Sequence, residues 1–214
     1  MNSVIDNARY KIPLFSNGYK VTQRYLILTL LAVFFSQPAS SLAGNVVSAF
    51  VDEQDGHYLI NLSMQINAAK QNVLKVMTNY SQLEKLSNTI VSSTVIEQKS
   101  KSSKVKLVSE GCIFIFCQTI IQMQNVNQLE NDYITINVEP MPGHIKFSTQ
   151  LWQFKAVSPS VTQVQYSADI LPDFWIPPLI GSWLFQNRLI DEARLIINSA
   201  EKIANSNSSS RYTP

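Results

Sequence analysis

The chain has 214 residues, with 17 basic and 15 acidic side chains and a formal net charge of +2. It holds only two histidines and two cysteines. So few nitrogen and sulfur ligands argue against a structural or catalytic zinc site, and no metal or other cofactor is expected. The slight basic excess is a poor guide to partners, because it comes from one end of the chain.

Lys20 and Arg24 precede an apolar run from Tyr25 to Phe35, and the small-residue pattern Ser41-Leu42-Ala43 follows. A basic flank, a short apolar core and small residues at −3 and −1 read as a secretory signal peptide cleaved between Ala43 and Gly44. The run is too short to span a bilayer, which takes about 20 residues. No Arg-Arg pair marks the twin-arginine route. Residues 1–43 are therefore set aside as a signal, 44–204 as one domain and 205–214, rich in Ser and Asn, as a disordered tail. The protein is expected outside the cytoplasm, in the periplasm if the source is Gram-negative. Residues 1–43 carry four of the basic residues and one acidic residue, so the remainder has 13 basic and 14 acidic residues and a net charge of −1. No electrostatic footprint for nucleic acid survives. The remaining 171 residues are enough for a real core, and a monomer is expected.

Along that domain, period-2 alternation predicts strands over 45–52 and 58–66, joined at the hairpin signal Asp55-Gly56. Tyr58, Ile60, Leu62, Met64 and Ile66 share one face of the second strand. Asn67 reads as the N-cap of a helix over 68–79, with Val73, Leu74 and Met77 as its apolar stripe. A short helix over 81–86 follows. Six further strands are predicted over 91–98, 104–109, 118–126, 133–138, 146–157 and 161–170. The clean alternation in the fourth and sixth of these gives one wet and one dry face, as in an antiparallel sheet. A long helix over 179–203 closes the chain, started by Pro177-Pro178. Its stripe is Phe185, Leu189, Ala193, Ile196, Ala200 and Ile203. The dry sheet face must be covered, and this helix is long enough to cover it.

The order of elements and two local segments carry a resemblance. The stretch AAKQNVLKVMTNYSQLEKL, with Val73, Thr78, Asn79, Tyr80 and Leu83 at the matching positions, is similar to the helix pair of the START-like superfamily, also called SRPBCC. The stretch LPDFWIPPLIGSWLFQNRL is similar to the passage from last strand to final helix in a bacterial exported branch of that group, which includes polyketide cyclases and coenzyme-Q-binding proteins. The resemblance covers about 46–204. It implies an α+β helix-grip fold, a curved antiparallel sheet around a long C-terminal helix, with a deep cavity between them. It does not imply one chemistry.

Searching the residues for catalysis yields no catalytic candidate. No G-x-S-x-G elbow or Gly-rich phosphate loop occurs. His57 and His144 lie beside turns, and Asp169, Asp173, Asp191 and Glu192 read as solvated. The aromatic set says more. Trp152 and Phe154 share a strand face with Gln150, Tyr166 lies on the dry face of the next strand, and Trp175 precedes the final helix. Together with Phe185 and Leu189 from that helix, and Ser148 and Ser93 as further inward polar groups, they form the expected ligand-binding set. An apolar cavity with a few polar anchors suits a lipid, quinone or isoprenoid. Binding or carriage of such a ligand competes with an exported cyclase or hydrolase, and with a protein-interaction module whose cavity is vestigial. Co-purified ligand would favour the first, a buried ionisable pair the second, and a filled core with an exposed apolar patch the third.

Residues 104–128 have almost unbroken strand character, yet strands rarely exceed about 10 residues. The segment is therefore expected to fold back between Gly111 and Phe116, placing Cys112 opposite Cys117 for a disulfide with Cα atoms about 4.4–6.8 Å apart. The tip would be Ile113-Phe114-Ile115-Phe116, an unusually apolar turn. It reads either as core or as a gate that touches a membrane transiently while ligand passes.

Overall fold

The structure, a computed structural model, describes residues 44–113, 116–176 and 181–209, with only the backbone described at 113, 116 and 207–209. The expected signal and its cleavage site, the Pro177-Pro178 helix start, and Phe114 and Ile115 of the expected gate lie outside the described residues, as do the side chains of Ile113 and Phe116. So does 210–214.

Eight strands form one antiparallel sheet: β1 (Asn45–Gln54), β2 (His57–Ile66), β3 (Ile90–Gln98), β4 (Ser102–Ile113), β5 (Phe116–Gln128), β6 (Tyr133–Val138), β7 (Ile145–Ser158) and β8 (Val161–Pro172). Their order is β1-β2-β8-β7-β6-β5-β4-β3. Only the β2–β8 pairing joins strands distant in sequence, with Leu62 opposite Tyr166 and Met64 opposite Val164. Helix α1 (Lys70–Met77) and a 3₁₀ turn (Leu83–Lys85) follow β2, and α2 (Gly181–Ser209) closes the chain. This is the α+β helix-grip architecture expected from the sequence.

The first hairpin turns where Asp55 and Gly56 both adopt positive φ, 54° and 82°. Two left-handed residues are what a two-residue hairpin of the primed type requires, and Asp-Gly supplies them at low cost. Alternation then decides the faces. Tyr58, Ile60, Leu62, Met64 and Ile66 of β2 are buried, as are Ile134, Ile136 and Val138 of β6. Met64, Ile66, Val73, Val164 and Ile197 are the centre of one large cluster under the helices. Each such side chain contributes about 1.5–3 kcal/mol through burial.

The helices depart from expectation in three respects. Helix α1 starts at Lys70 with Ala69 as its cap residue and no side-chain cap bond. Asn67 lies two residues before that cap, and its backbone N–H donates to the Glu201 carboxylate of α2, at 2.6 Å. The 81–86 helix is shorter, a single 3₁₀ turn. Helix α2 runs on to Ser209, so residues 205–209 of the expected tail are helical. The Asn205 side chain donates back to the carbonyl of Asn67 at 3.1 Å. The fully buried line of α2 is Ala193, Ile197, Ala200 and Ala204, with Ile196 and Ile203 only partly buried. Small residues on that line let the helix lie close to β1, β2 and α1, where most of its packing occurs.

The fold-back in 104–128 is present. β4 and β5 pair from Ser102↔Asn127 to Ile113↔Phe116, with Cys112 directly opposite Cys117. The two cysteines are joined as a disulfide, with Cα atoms 3.9 Å apart, closer than the expected window.

Candidate ligand cavity

Because α2 packs mainly on β1, β2 and α1, it leaves the inner face of β4–β7 without a close partner along much of its length. That gap is a cavity of about 150 Å³. Its floor is Leu107, Ile134, Ile136, Trp152 and Phe154, and its roof is Met77, Tyr80, Leu83 and Leu86 with Ile196 of α2. Two amides, Gln124 and Gln150, complete the wall, and no carboxylate, imidazole, amine or guanidinium is among its described lining residues. Alternation puts these side chains inward, so the cavity follows from the same pattern that makes the sheet.

Two polar atoms in this wall lack partners. The hydroxyl of Tyr80 and the Nε1–H of Trp152 are both buried, and neither makes a hydrogen bond within the protein. Tyr80 as a whole is 7% exposed. Burial raises the pKa of its hydroxyl, and the nearby Gln128 side chain offsets part of that rise without meeting hydrogen-bond geometry. Such groups are rare in folded proteins, since leaving one unsatisfied costs about 1–3 kcal/mol. Other polar neighbours are engaged. Gln124 donates to Gln122 at 2.8 Å and Gln150 donates to Ser148 at 3.4 Å. Ser93 donates to the backbone carbonyl of Tyr80 and so holds that residue in place. The Trp152 ring rests on Tyr166, with ring centroids 4.3 Å apart. Burial raises the Tyr166 hydroxyl well above its usual pKa.

The expected ligand set divides accordingly. Trp152, Phe154 and Gln150 line the cavity. Ser148, Ser93 and Tyr166 stand behind the wall, each touching a lining residue. Phe185 packs with Tyr58 and Ile60 in a second cluster nearer the start of α2, and Leu189 packs against both clusters, so neither is among the lining residues. Phe185 meets Tyr58 with centroids 4.6 Å apart. Trp175 is 74% exposed and Trp183 is 66% exposed, so Trp175 does not belong to the wall. The sequence reading missed Gln124 and the roof residues Tyr80 and Leu83. Both roof residues were already marked by the family-like segment, which was a signal for position though not for role.

Three acidic groups read as solvated have other surroundings, and one of them, Asp173, is held by the Gly143 N–H and Lys146. Glu192 on α2 accepts hydrogen bonds from the hydroxyls of Ser87 and Thr89, the latter at 2.9 Å, which ties α2 to the loop before β3 one turn from Ile196. Asp169 pairs with His57 at 2.7 Å. A larger hollow, about 330 Å³, lies on the outer sheet face and is bounded by Asn61, Ser63, Gln153, Gln165 and Ser167. Its lining is about half polar, whereas that of the cavity under α2 is mostly apolar. Among the described residues no group of three His, Cys, Asp or Glu is placed to hold a metal ion.

No family model matches the sequence, and no curated protein matches it. Solved structures do match the fold. An aromatase/cyclase from a Streptomyces species aligns with a TM-score of 0.57 at 9% identity, over 70% of this chain and 94% of its own. A START superfamily protein from Mycobacterium smegmatis aligns with a TM-score of 0.57 at 14% identity, over 69% of this chain and 99% of its own. The human StarD13 lipid transfer and protein localization domain aligns with a TM-score of 0.53 at 14% identity, over 86% of this chain and 98% of its own.

Proposed function

We propose that this chain, whose fold is START-like, binds an apolar small molecule in the cavity between α2 and the sheet. The observation that carries the reading is a partly open, mostly apolar cavity of about 150 Å³ between α2 and the sheet. A mostly apolar hollow with a few polar groups is the usual form of a small-molecule site. The lipid transfer domain and the aromatase/cyclase among the similar structures support a hydrophobic-ligand role for the fold. The lining supplies no acid–base pair, so binding or carriage is favoured over catalysis. The test is native mass spectrometry of purified protein, followed by solvent extraction of anything that co-purifies. A bound small molecule lost on Phe154→Trp, which fills the cavity, is expected. Ligand retained by that folded variant would place binding elsewhere.

We further propose export after cleavage at Ala43 and, apart from the expected tip at 113–116, a transient membrane contact through the exposed Trp175 and Trp183. Indole rings favour the membrane–water interface. No helix among the described residues is long and apolar enough to cross a membrane. N-terminal sequencing of secreted protein checks the first point; flotation of Trp175→Ser/Trp183→Ser protein with vesicles checks the second.

A further inference from the structure

We infer that the half-buried carboxylate of Glu201 is the receptor for the mature amino terminus, so that cleavage between Ala43 and Gly44 creates the ammonium that pins α2 against β1. The inference rests on the export proposed above. Two independent lines meet at one atom. The sequence pattern places the new terminus at the Gly44 nitrogen. The fold places Oε1 of Glu201 2.8 Å from that same nitrogen, although the two residues are 157 apart in sequence.

The carboxylate is held but not neutralised. Its Oε1 also accepts the Asn67 N–H at 2.6 Å, so both of these donors are neutral backbone groups. No ion pair among the described residues includes Glu201. Taking a carboxylate partly out of water without a cation is unfavourable, and an ammonium at Gly44 supplies the missing charge without adding a side chain. The site also reads which residue stands at the terminus. A Cβ on Gly44 would press on Glu201 Oε1, on the Gln65 carbonyl oxygen and on Cγ2 of Ile197, the last at 2.7 Å, so glycine is the residue that brings its nitrogen this close. Hydrolysis of the Ala43–Gly44 peptide bond consumes one water. It gives an Ala43 carboxylate, which leaves with the signal, and a Gly44 ammonium, which stays. Ile197, one turn before Glu201, sits in the main core, and Ile196 beside it roofs the cavity. A firmer hold at Glu201 therefore fixes the stretch of α2 that lies over the ligand site.

The experiment keeps the full chain and its export. Processed protein is sequenced from its amino terminus, and urea unfolding is compared for four chains: the parent, one with a threonine inserted between Ala43 and Gly44, Glu201→Gln, and the two changes together. The insertion moves the ammonium one residue outward and turns the Gly44 nitrogen back into an amide with its N–H kept. It is expected to raise the unfolding constant about fivefold with Glu at 201, and less than about twofold with Gln there. The Gly44 α-amino group of the parent, followed through its ¹³Cα resonance, should titrate above the ordinary range of about 7.7–8.0 and fall back in Glu201→Gln. The other groups around it, Gln65, Asn67 and Ile197, carry no charge. That titration decides should the inserted chain fail to fold. Protein that starts at Gly44 but ignores the insertion, pays the same for it with Gln at 201, or titrates in the ordinary range overturns the inference and leaves export standing. Protein that starts at any other residue overturns both the inference and the cleavage position.

Discussion

The backbone N–H of Gly44 donates to Oε1 of Glu201 at 2.8 Å, across 157 residues of sequence. The same oxygen accepts the N–H of Asn67 at 2.6 Å. One carboxylate thereby ties the start of β1, the link from β2 to α1, and α2. Glu201→Ala leaves both donors without this acceptor and should cost about 1–3 kcal/mol in urea unfolding, with Glu201→Gln milder because it keeps an oxygen. Gly44→Ala should destabilise independently, since its Cβ would lie 2.3 Å from Glu201 Oε1 and 2.4 Å from the Gln65 carbonyl oxygen. If processing follows Ala43, the Gly44 nitrogen becomes an ammonium beside that carboxylate, and the processed protein should be the more stable form by thermal melting.

Glu192 holds Ser87 and Thr89 at the rim of the cavity, and Ser87 is only 3% exposed. Glu192→Ala should destabilise by about 1–3 kcal/mol, as expected for loss of charge-assisted bonds to partly buried hydroxyls. Hydrogen exchange should quicken at the Thr89 amide, whose N–H donates to the Ser87 hydroxyl oxygen at 3.0 Å. Unchanged exchange there would show that Glu192 is not what keeps this loop against α2.

The Cys112–Cys117 bridge closes a short loop. Chain-entropy reasoning gives a loop of this length about 2 kcal/mol. Cys112→Ser/Cys117→Ser should lose up to that amount while the β4–β5 ladder below the bridge persists. Thiol counting on denatured, unreduced protein should find none free; two would rule the bridge out.

Asp173 closes the turn before β7. The Gly143 N–H donates to it at 2.8 Å and Lys146 pairs with it at 3.0 Å. The Gly143 N–H first, and Lys146 second, hold its pKa below the usual carboxylate value. A folded-state pKa below the unfolded one means the contribution is present above the ordinary Asp value of about 3.9 and is lost as pH falls through the depressed one. Asp173→Asn should therefore lower the melting temperature at neutral pH, and the gap from the parent should close below about pH 4. A gap independent of pH would mean the turn depends on shape rather than charge.

Much of this was legible in the chain itself. Period-2 alternation located every strand and the dry faces of β2 and β6, because side chains on a strand alternate whatever the neighbours do. Asp55-Gly56 announced its hairpin through residues that tolerate positive φ, and the span of apolar character around Gly111 required the fold-back that sets Cys112 against Cys117. What only the tertiary structure decided was how α2 sits on the sheet. The expected stripe ran through Phe185, Leu189, Ala193, Ile196, Ala200 and Ile203, whereas the fully buried line passes through Ile197 and Ala204 in place of Ile196 and Ile203. Packing chose the alanine line of Ala193, Ala200 and Ala204, because small side chains allow the closest approach. That choice put Phe185 in a separate cluster and left Trp152 lining a gap roofed by Tyr80. Whether a buried indole or phenol finds a partner depends on distances between elements remote in sequence, which no local pattern records.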